Sequence, residues 1–548
     1  MSFQQRTLIA LALCALVYLI SDFFLPKPEP VPEDLATSEQ VEGKATDGAG
    51  TPDTSTPPEV ESDEPVVEAG SGAVEVVEHQ LRNDLLEVTV SNRSPGKGGI
   101  VAGVHLLSPQ FAGQATETDA LKLGGKPTLE ISFADAASEV KIPKNASFTM
   151  REASDRHVVM EYAGTGVVVQ ERFELLEGYE ARLTVTITNR EGEASQDHRL
   201  HVTTHVGVSD SQYDVSRTLC RTAEDLEVED AGDLDDGETP RFTGSIRWGG
   251  TDNKYFGQFL VPSDSLTECN MVLEDGRISN KLSGGVETLA AGQSREYVFG
   301  VYMGPKELER LRDFSAVQVS ELDLEEAIDW GFLGGLSEAL GRMLLAMLRW
   351  FYALTHSWGF SIVLLTIVVK AVTLPLTLKQ MSSMKKMREI QPEIAKIKEK
   401  YGSDRVKQGQ EMQALFARSG VNPLAGCLPT LVQLPIWFAL YSMLSAAVEL
   451  VHQTFLWLPD LTKQDPYYIL PLSLGVLMVL QNRMMPNTMD EAQARMMRWL
   501  MPGMFTLFML FLPSGLAVYI FANIVLSLIQ TAIQVGVKNE PKPEAKAT

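Results

Sequence analysis

A single ammonium stands in the middle of a long apolar run. In GFSIVLLTIVVKAVTLPLTLK (359–379), Lys370 is the only charged residue between Gly359 and Leu378. About 20 such residues span a bilayer core as a helix, and Lys370 falls roughly 16 Å along it. Leaving the charge in hydrocarbon there costs about 2.5–3.5 kcal/mol or more, so such residues by default face water or a partner. Two readings follow. The lysine stem snorkels to the interface, or the charge lies in a wet interior.

Other polar side chains favour the second reading by their spacing. In LAVYIFANIVLSLIQTAIQV (516–535), Tyr519, Asn523, Ser527, Gln530 and Gln534 recur at steps of 4, 4, 3 and 4. That puts them on one helical face, with Thr531 off it. Thr366 lies one turn before Lys370 on the same face. Gln433 lies about 15 Å by helical rise from Pro423, in the uncharged stretch 422–448. Running each span from its own side brings Lys370, Gln433 and Asn523–Ser527 to a similar depth. Hydrogen bonding between helices is one use for such groups. A charge and several amides at one level instead fit a water-filled cavity.

The elements that must position these groups follow from composition. The chain of 548 residues carries a net charge of -24, unevenly spread. Residues 1–25 are read as an N-terminal transmembrane anchor, since Thr7–Leu25 is apolar apart from Asp22 and has no small-x-small cleavage site. Residues 26–71 hold twelve acids against Lys27 and Lys44, the composition of a disordered linker. The acidic total argues against nucleic-acid binding. From 72 to 305 short alternating runs predict a large β-sandwich domain. They are LLEVTV (85–90), HVVMEY (157–162), GVVVQERFEL (166–175), ARLTVTITN (181–189) and REYVFGVYM (295–303). Residues 306–330 are expected to be helical, and 336–356 an amphipathic helix at the membrane interface, with Arg342, Arg349 and His356 as its charged stripe.

Residues 379–420 are read as a helical hairpin. Ten basic residues against five acids give 379–418 a charge of +5 between two apolar spans, which places it in the cytoplasm. Met387, Ile390, Ile394, Ile397 and Tyr401 form its seam. Further spans are expected at 421–448, 467–483, 499–512 and 515–537, followed by a tail at 538–548. The pattern is six spans with both termini cytoplasmic and the β domain outside.

The remaining candidates for chemistry give little. His79, His105, His157, His198, His201 and His205 follow no ligand or triad spacing. Cys14, Cys220, Cys269 and Cys427 show no metal spacing. Cys220 and Cys269 pair if their domain sits in an oxidising compartment; two separate core thiols fit equally. No metal or cofactor is expected.

The segment VNPLAGCLPTLVQLPIWFALYSML (421–444) resembles the YidC/Oxa/Albino membrane protein insertase family. WGFSIVLLTIVVKAVTLPLTLKQ (358–380), MREIQPEI (387–394), DPYYILPLSLG (465–475) and FLPSGLAVY (511–519) match in the same order. The anchor and β domain resemble the Gram-negative YidC form, which implies a β-supersandwich beside a five-helix insertase core and a multi-pass place in the cell inner membrane. The resemblance implies insertion and folding of inner-membrane proteins, alone or with the Sec translocon, through a hydrophilic groove open to cytoplasm and lipid. It implies nascent clients, membrane lipids, and ribosome or targeting factors at the hairpin and tail as partners. The groove's basic position matches Lys370, where the best-known members have Arg. Lysine keeps the charge and loses bidentate pairing. Thr366, Gln433 and Tyr519 match other groove positions, while Ile520 stands where a second aromatic is common. Asn523, Ser527 and Gln530 extend the set by spacing. No bond is made or broken in such a process, so no enzymatic activity is expected. A channel or transporter with Lys370 as an anion site is one alternative. A membrane-anchored carbohydrate-binding protein using the β domain is another.

Overall fold

The computed structural model describes residues 76–536, except 93–98, 112–126, 134–135, 144–145, 147, 165, 191–193, 209–214, 235–238, 275, 321, 332–334, 403, 421–427 and 485–490. The expected anchor, acidic linker and C-terminal tail lie outside the described residues, as do Cys14, Cys427 and Pro423.

Sixteen strands join one antiparallel sheet, and two short strands, Gln196–His198 and Glu287–Leu289, pair separately. All five runs singled out by alternation are strands: Leu86–Ser91, His157–Ala163, Val167–Leu175, Glu180–Asn189 and Ser294–Pro305. The alternation works as expected. Along Glu180–Asn189, Ala181, Leu183, Val185 and Ile187 are buried and their neighbours are half-exposed. The strand Arg241–Asp252 joins the two stretches of the sheet. Its first part pairs with Leu266–Glu274 and its last part with Phe256–Pro262, across a register shift between Thr243 and Ile246. Gly244 sits in that shift at φ +131, a backbone setting that excludes a Cβ.

The segment after the last strand departs from the helix expected over 306–330. Only α1 (Leu308–Arg312) and a single 3-10 turn at Leu324–Ala327 are helical. The rest is a strap whose carbonyls are taken by side chains of the β domain, which compete with i→i+4 bonding. Arg182 donates to Ala316 O at 2.9 and 3.1 Å, Trp248 Nε1 to Leu322 O at 2.7 Å, and Arg217 to Ala327 O at 2.8 Å. Beneath it Arg217 clasps the fully buried Asp252 at 2.6 and 2.9 Å, and Lys306 Nζ donates to the same carboxylate at 2.7 Å. Burial pulls the Lys306 ammonium down to about 8 against the attraction of Asp252.

The helical part contains α2 (Gly335–Thr355), α3 (Trp358–Lys400), α4 (Arg405–Ser419), α5 (Leu428–Ala446), α6 (Ile469–Met484), α7 (Glu491–Met509) and α8 (Ser514–Gly536). Two of these are long and apolar enough to cross a membrane, at Trp358–Lys379 and Ser514–Ile533, and Ile469–Arg483 is a shorter apolar helix. The Lys370 span and the first arm of the hairpin form one uninterrupted helix that carries Pro375 and Pro392. Asp404 caps α4, accepting from Lys407 N at 3.0 Å, and Gly420 ends it at φ +60. Ile390 and Leu415 are buried between the arms, flanked by Met387, Ile394, Ile397 and Phe416. The start of α8 is pinned by the loop before α6: Ser514 N donates to Lys463 O at 2.7 Å and Gly515 N to Leu461 O at 2.8 Å.

Of the charged stripe of α2, Arg342 and Arg349 are half-buried and ion-paired, whereas His356, just past the end of the helix, is exposed. Arg349 reaches Glu449 at 2.5 and 2.8 Å and Glu309 at 2.7 Å, and Arg342 pairs with Glu338 and Glu325. Leu336, Met343, Trp350 and Leu354 are the large apolar residues of α2 left exposed. Gln110 of the β domain donates to the carbonyls of Val448, Glu449 and Val451 at 3.1–3.3 Å. The β domain and the helices are therefore fastened by hydrogen bonds as well as by packing.

Candidate functional site: a lysine between two membrane-capable helices

The two membrane-capable helices, α3 and α8, meet at Lys370. The Lys370 Nζ donates to Ser527 Oγ at 2.8 Å. Ser527 Oγ in turn donates to the Asn523 carbonyl one turn earlier, at 2.7 Å. The hydroxyl thus accepts from the ammonium while its own proton is used within α8. Among the described residues, no carboxylate contributes to the surroundings of Lys370. A half-buried cation held by one neutral oxygen retains unused donor capacity, since an ammonium has three protons.

Gln530 lies three residues beyond Ser527 and is half-buried. Its Nε2 is buried with no hydrogen-bond partner among the described residues. An unpaired buried amide costs about 1–3 kcal/mol. Such a group is normally satisfied by protein or by water, so one left open a turn beyond Ser527 fits a polar site.

The structure sorts the expected groove residues by depth of packing. Lys370 and Ser527 come together, Asn523 joins them only through its backbone carbonyl, and Gln530 follows on the same helix. Gln433 is half-buried on α5. Thr366 and Tyr519 are both about 1% exposed, so they are walls of the helix packing. The Thr366 hydroxyl is spent on the Ile362 carbonyl at 2.7 Å. Thr531, off the polar face by spacing, also returns its proton to its own helix, at Ser527 O, 2.8 Å. The Gln534 side chain lies outside the description.

Histidines of the β domain are held by hydrogen bonds, and two of them, His79 and His157, share Ser154 at 2.8 Å each. His198 bonds the Tyr297 hydroxyl at 2.7 Å, His201 the Ser283 hydroxyl at 2.8 Å, and His205 the Ser279 hydroxyl at 2.7 Å. Among the described residues no group of histidine, cysteine and carboxylates is arranged to hold a metal. The Arg349–Glu449–Gln110 junction carried no readable sequence signal, because its members are separated by 100 and by more than 330 residues.

Comparison with known proteins gives matches to both parts. The model described as YidC periplasmic domain matches residues 80–343, and the 60Kd inner membrane protein model matches residues 350–540. A membrane protein insertase YidC from Anaeromyxobacter dehalogenans is 39% identical over 317 residues, 58% of this chain and 56% of the relative. One of the same description from Syntrophus aciditrophicus is 37% identical over 297 residues, 54% of this chain and 53% of the relative. The chain thus spans little more than half the length of these relatives. A crystal structure of YidC from Thermotoga maritima is 16% identical, with a TM-score of 0.30, covering 84% of this chain and 98% of that one. Matched in chain order by the periplasmic-domain model and then by the inner-membrane-protein model, the chain belongs to the YidC/Oxa/Albino family in its YidC form.

Proposed function

We propose that this chain inserts and folds inner-membrane proteins through a hydrophilic groove centred on Lys370. The observation that carries the reading is the Lys370–Ser527 contact between two membrane-capable helices, with no opposing carboxylate among the described residues. A cation with spare protons attracts acidic residues of a segment that must cross. Gln530 offers the same segment, or its water, a free amide donor. The polar part of the client then travels beside protein rather than hydrocarbon, and the apolar part leaves into lipid. Such work changes where a chain lies and makes no bond.

Membership of the family supports this reading, and so does the description of its relatives as insertases. The finer parts are our proposal as well. Residues 1–25 anchor the N-terminus, residues 72–305 face the periplasm, and both termini are cytoplasmic. The hairpin of α3 and α4, with its basic surface, docks ribosomes, targeting factors or client segments. The Sec translocon is a partner for a subset of clients.

Purified protein reconstituted alone into liposomes tests the function. Protease protection of a newly made single-span client is expected to require the protein. Flux of a small anion without client insertion would instead identify a channel.

A further inference from the structure

The β domain contains two thiols for which the groove has no use. Cys220 lies on the strand Arg217–Thr222 and Cys269 on Leu266–Glu274. Both are free and completely buried. They are far apart in sequence, yet the Asn280 side chain touches both the Cys269 thiol and the backbone next to Cys220.

The contact does not follow from strand pairing. Cys220 stands opposite Gly249 in its ladder, and Cys269 stands opposite Phe242 on one side and Leu282 on the other. The two cysteines are therefore brought near each other across the core by Asn280, not along a ladder. Asn280 fixes the approach. Its Nδ2 donates to Leu219 O at 2.9 Å and to Thr218 Oγ1 at 3.0 Å, and lies 3.5 Å from Cys269 Sγ. Gly249 allows it: a Cβ there would meet Asn280 Oδ1 and Leu282 Cδ2, both at 2.7 Å. One asparagine thus ties the backbone beside Cys220 to the sulfur of Cys269, across a gap that only glycine leaves open.

We propose that Cys220 and Cys269 are a disulfide-forming pair, closed by a protein disulfide donor while the β domain folds. The proposal rests on the reading that this domain faces the periplasm, an oxidising compartment. One cysteine, as thiolate, attacks the donor's disulfide and forms a mixed disulfide, expelling one donor sulfur. The second cysteine's sulfur then displaces the donor. The donor leaves as a dithiol, carrying both electrons and, relayed through solvent, the two protons the cysteines gave up. The exchange precedes closure of the core. Burial, and then the neighbouring Cys220, push the Cys269 thiol well above its ordinary range, so it is a poor nucleophile once enclosed. The same burial shields the finished bond from reductants.

The test uses the full-length protein in its own cell membrane. Cells are quenched in acid and denatured, and thiols are alkylated before and after reduction, with peptides read by mass. Cys220 and Cys269 are expected to take the label only after reduction, while Cys427 takes it without. Label on both domain cysteines before reduction would overturn the pairing. A parallel Ala291→Cys variant, at an exposed turn, locates the cause of failure. If it reacts with an impermeant maleimide in spheroplasts while both native thiols label freely, the pairing itself is wrong. If it is silent there, the sidedness of the domain is wrong and the pairing falls with it. Reductant should also lower the unfolding temperature of the wild-type protein and leave that of the Cys220→Ala/Cys269→Ala variant unchanged; equal behaviour of the two counts against the bond.

Discussion

At the scale of single residues, the Lys370 ammonium is explained by what it touches and by what it lacks. Among the described residues it has one neutral acceptor, Ser527 Oγ, in a membrane-capable helix where a bare charge is costly. If water completes its shell, a cysteine at position 370 will react with a membrane-impermeant thiol reagent added from the cytoplasmic side. An inert thiol in folded protein would remove the hydrated groove. A second residue makes a separate prediction. Glu171 points inward between Val169 and Phe173 on its strand, and burial pushes its carboxyl up to about 8. The folded state keeps the proton up to that pH, whereas the unfolded chain releases it near 4.5. Stability therefore falls as pH rises between those values. Glu171→Gln should leave the unfolding temperature near pH 4 almost unchanged and raise it at pH 8.5. Thermal melts at the two pH values check this. The facing of Ser527 toward Lys370 was legible in the sequence, because helical spacing reports which face a residue occupies. The burial of Thr366 and Tyr519 on the same faces was not, because period says nothing of how closely a neighbouring helix approaches.

At the scale of elements, sequence pattern served best where one face alone decides the structure. Alternation located all five tested strands, since each half-buried strand must separate apolar from polar positions. It failed over 306–330, where charge density suggested a helix. There Arg182, Arg217 and Trp248, distant in sequence, take the carbonyls that a helix would need. Tertiary partners outweighed local propensity. The partners of the α2 arginines were likewise not legible, because Glu449 and Glu309 arrive from other elements. Helix packing offers a sharper test. Gly475 on α6 lies against Thr506 of α7, and a Cβ added at Gly475 would collide with the Thr506 hydroxyl. Gly475→Ala is expected to cost about 1–3 kcal/mol through overpacking. Thr506→Ala should recover most of that loss in the double variant, because the colliding atom is gone. Denaturation in detergent measures both; an undiminished loss in the double variant would show that the contact is not the cause.

At the scale of the whole molecule, a β domain and a helical unit are joined by a strap, a three-carbonyl clamp from Gln110 and the Arg349 ion pairs. In the topology we propose from the charge distribution, the basic hairpin lies in the cytoplasm, the apolar helices in lipid and the acidic β domain outside. The central claim joins these scales: a cation between α3 and α8 draws acidic client segments into the membrane. One measurement tests it most directly, namely insertion by reconstituted protein of paired clients that differ only in the charge of the translocated segment. Lys370→Arg should insert both as well as the wild type does. Lys370→Ala should lose at least several-fold with the acidic segment and little with the neutral one. An equal loss for both would contradict the account, because it would make Lys370 a structural residue and leave the attraction without a cause.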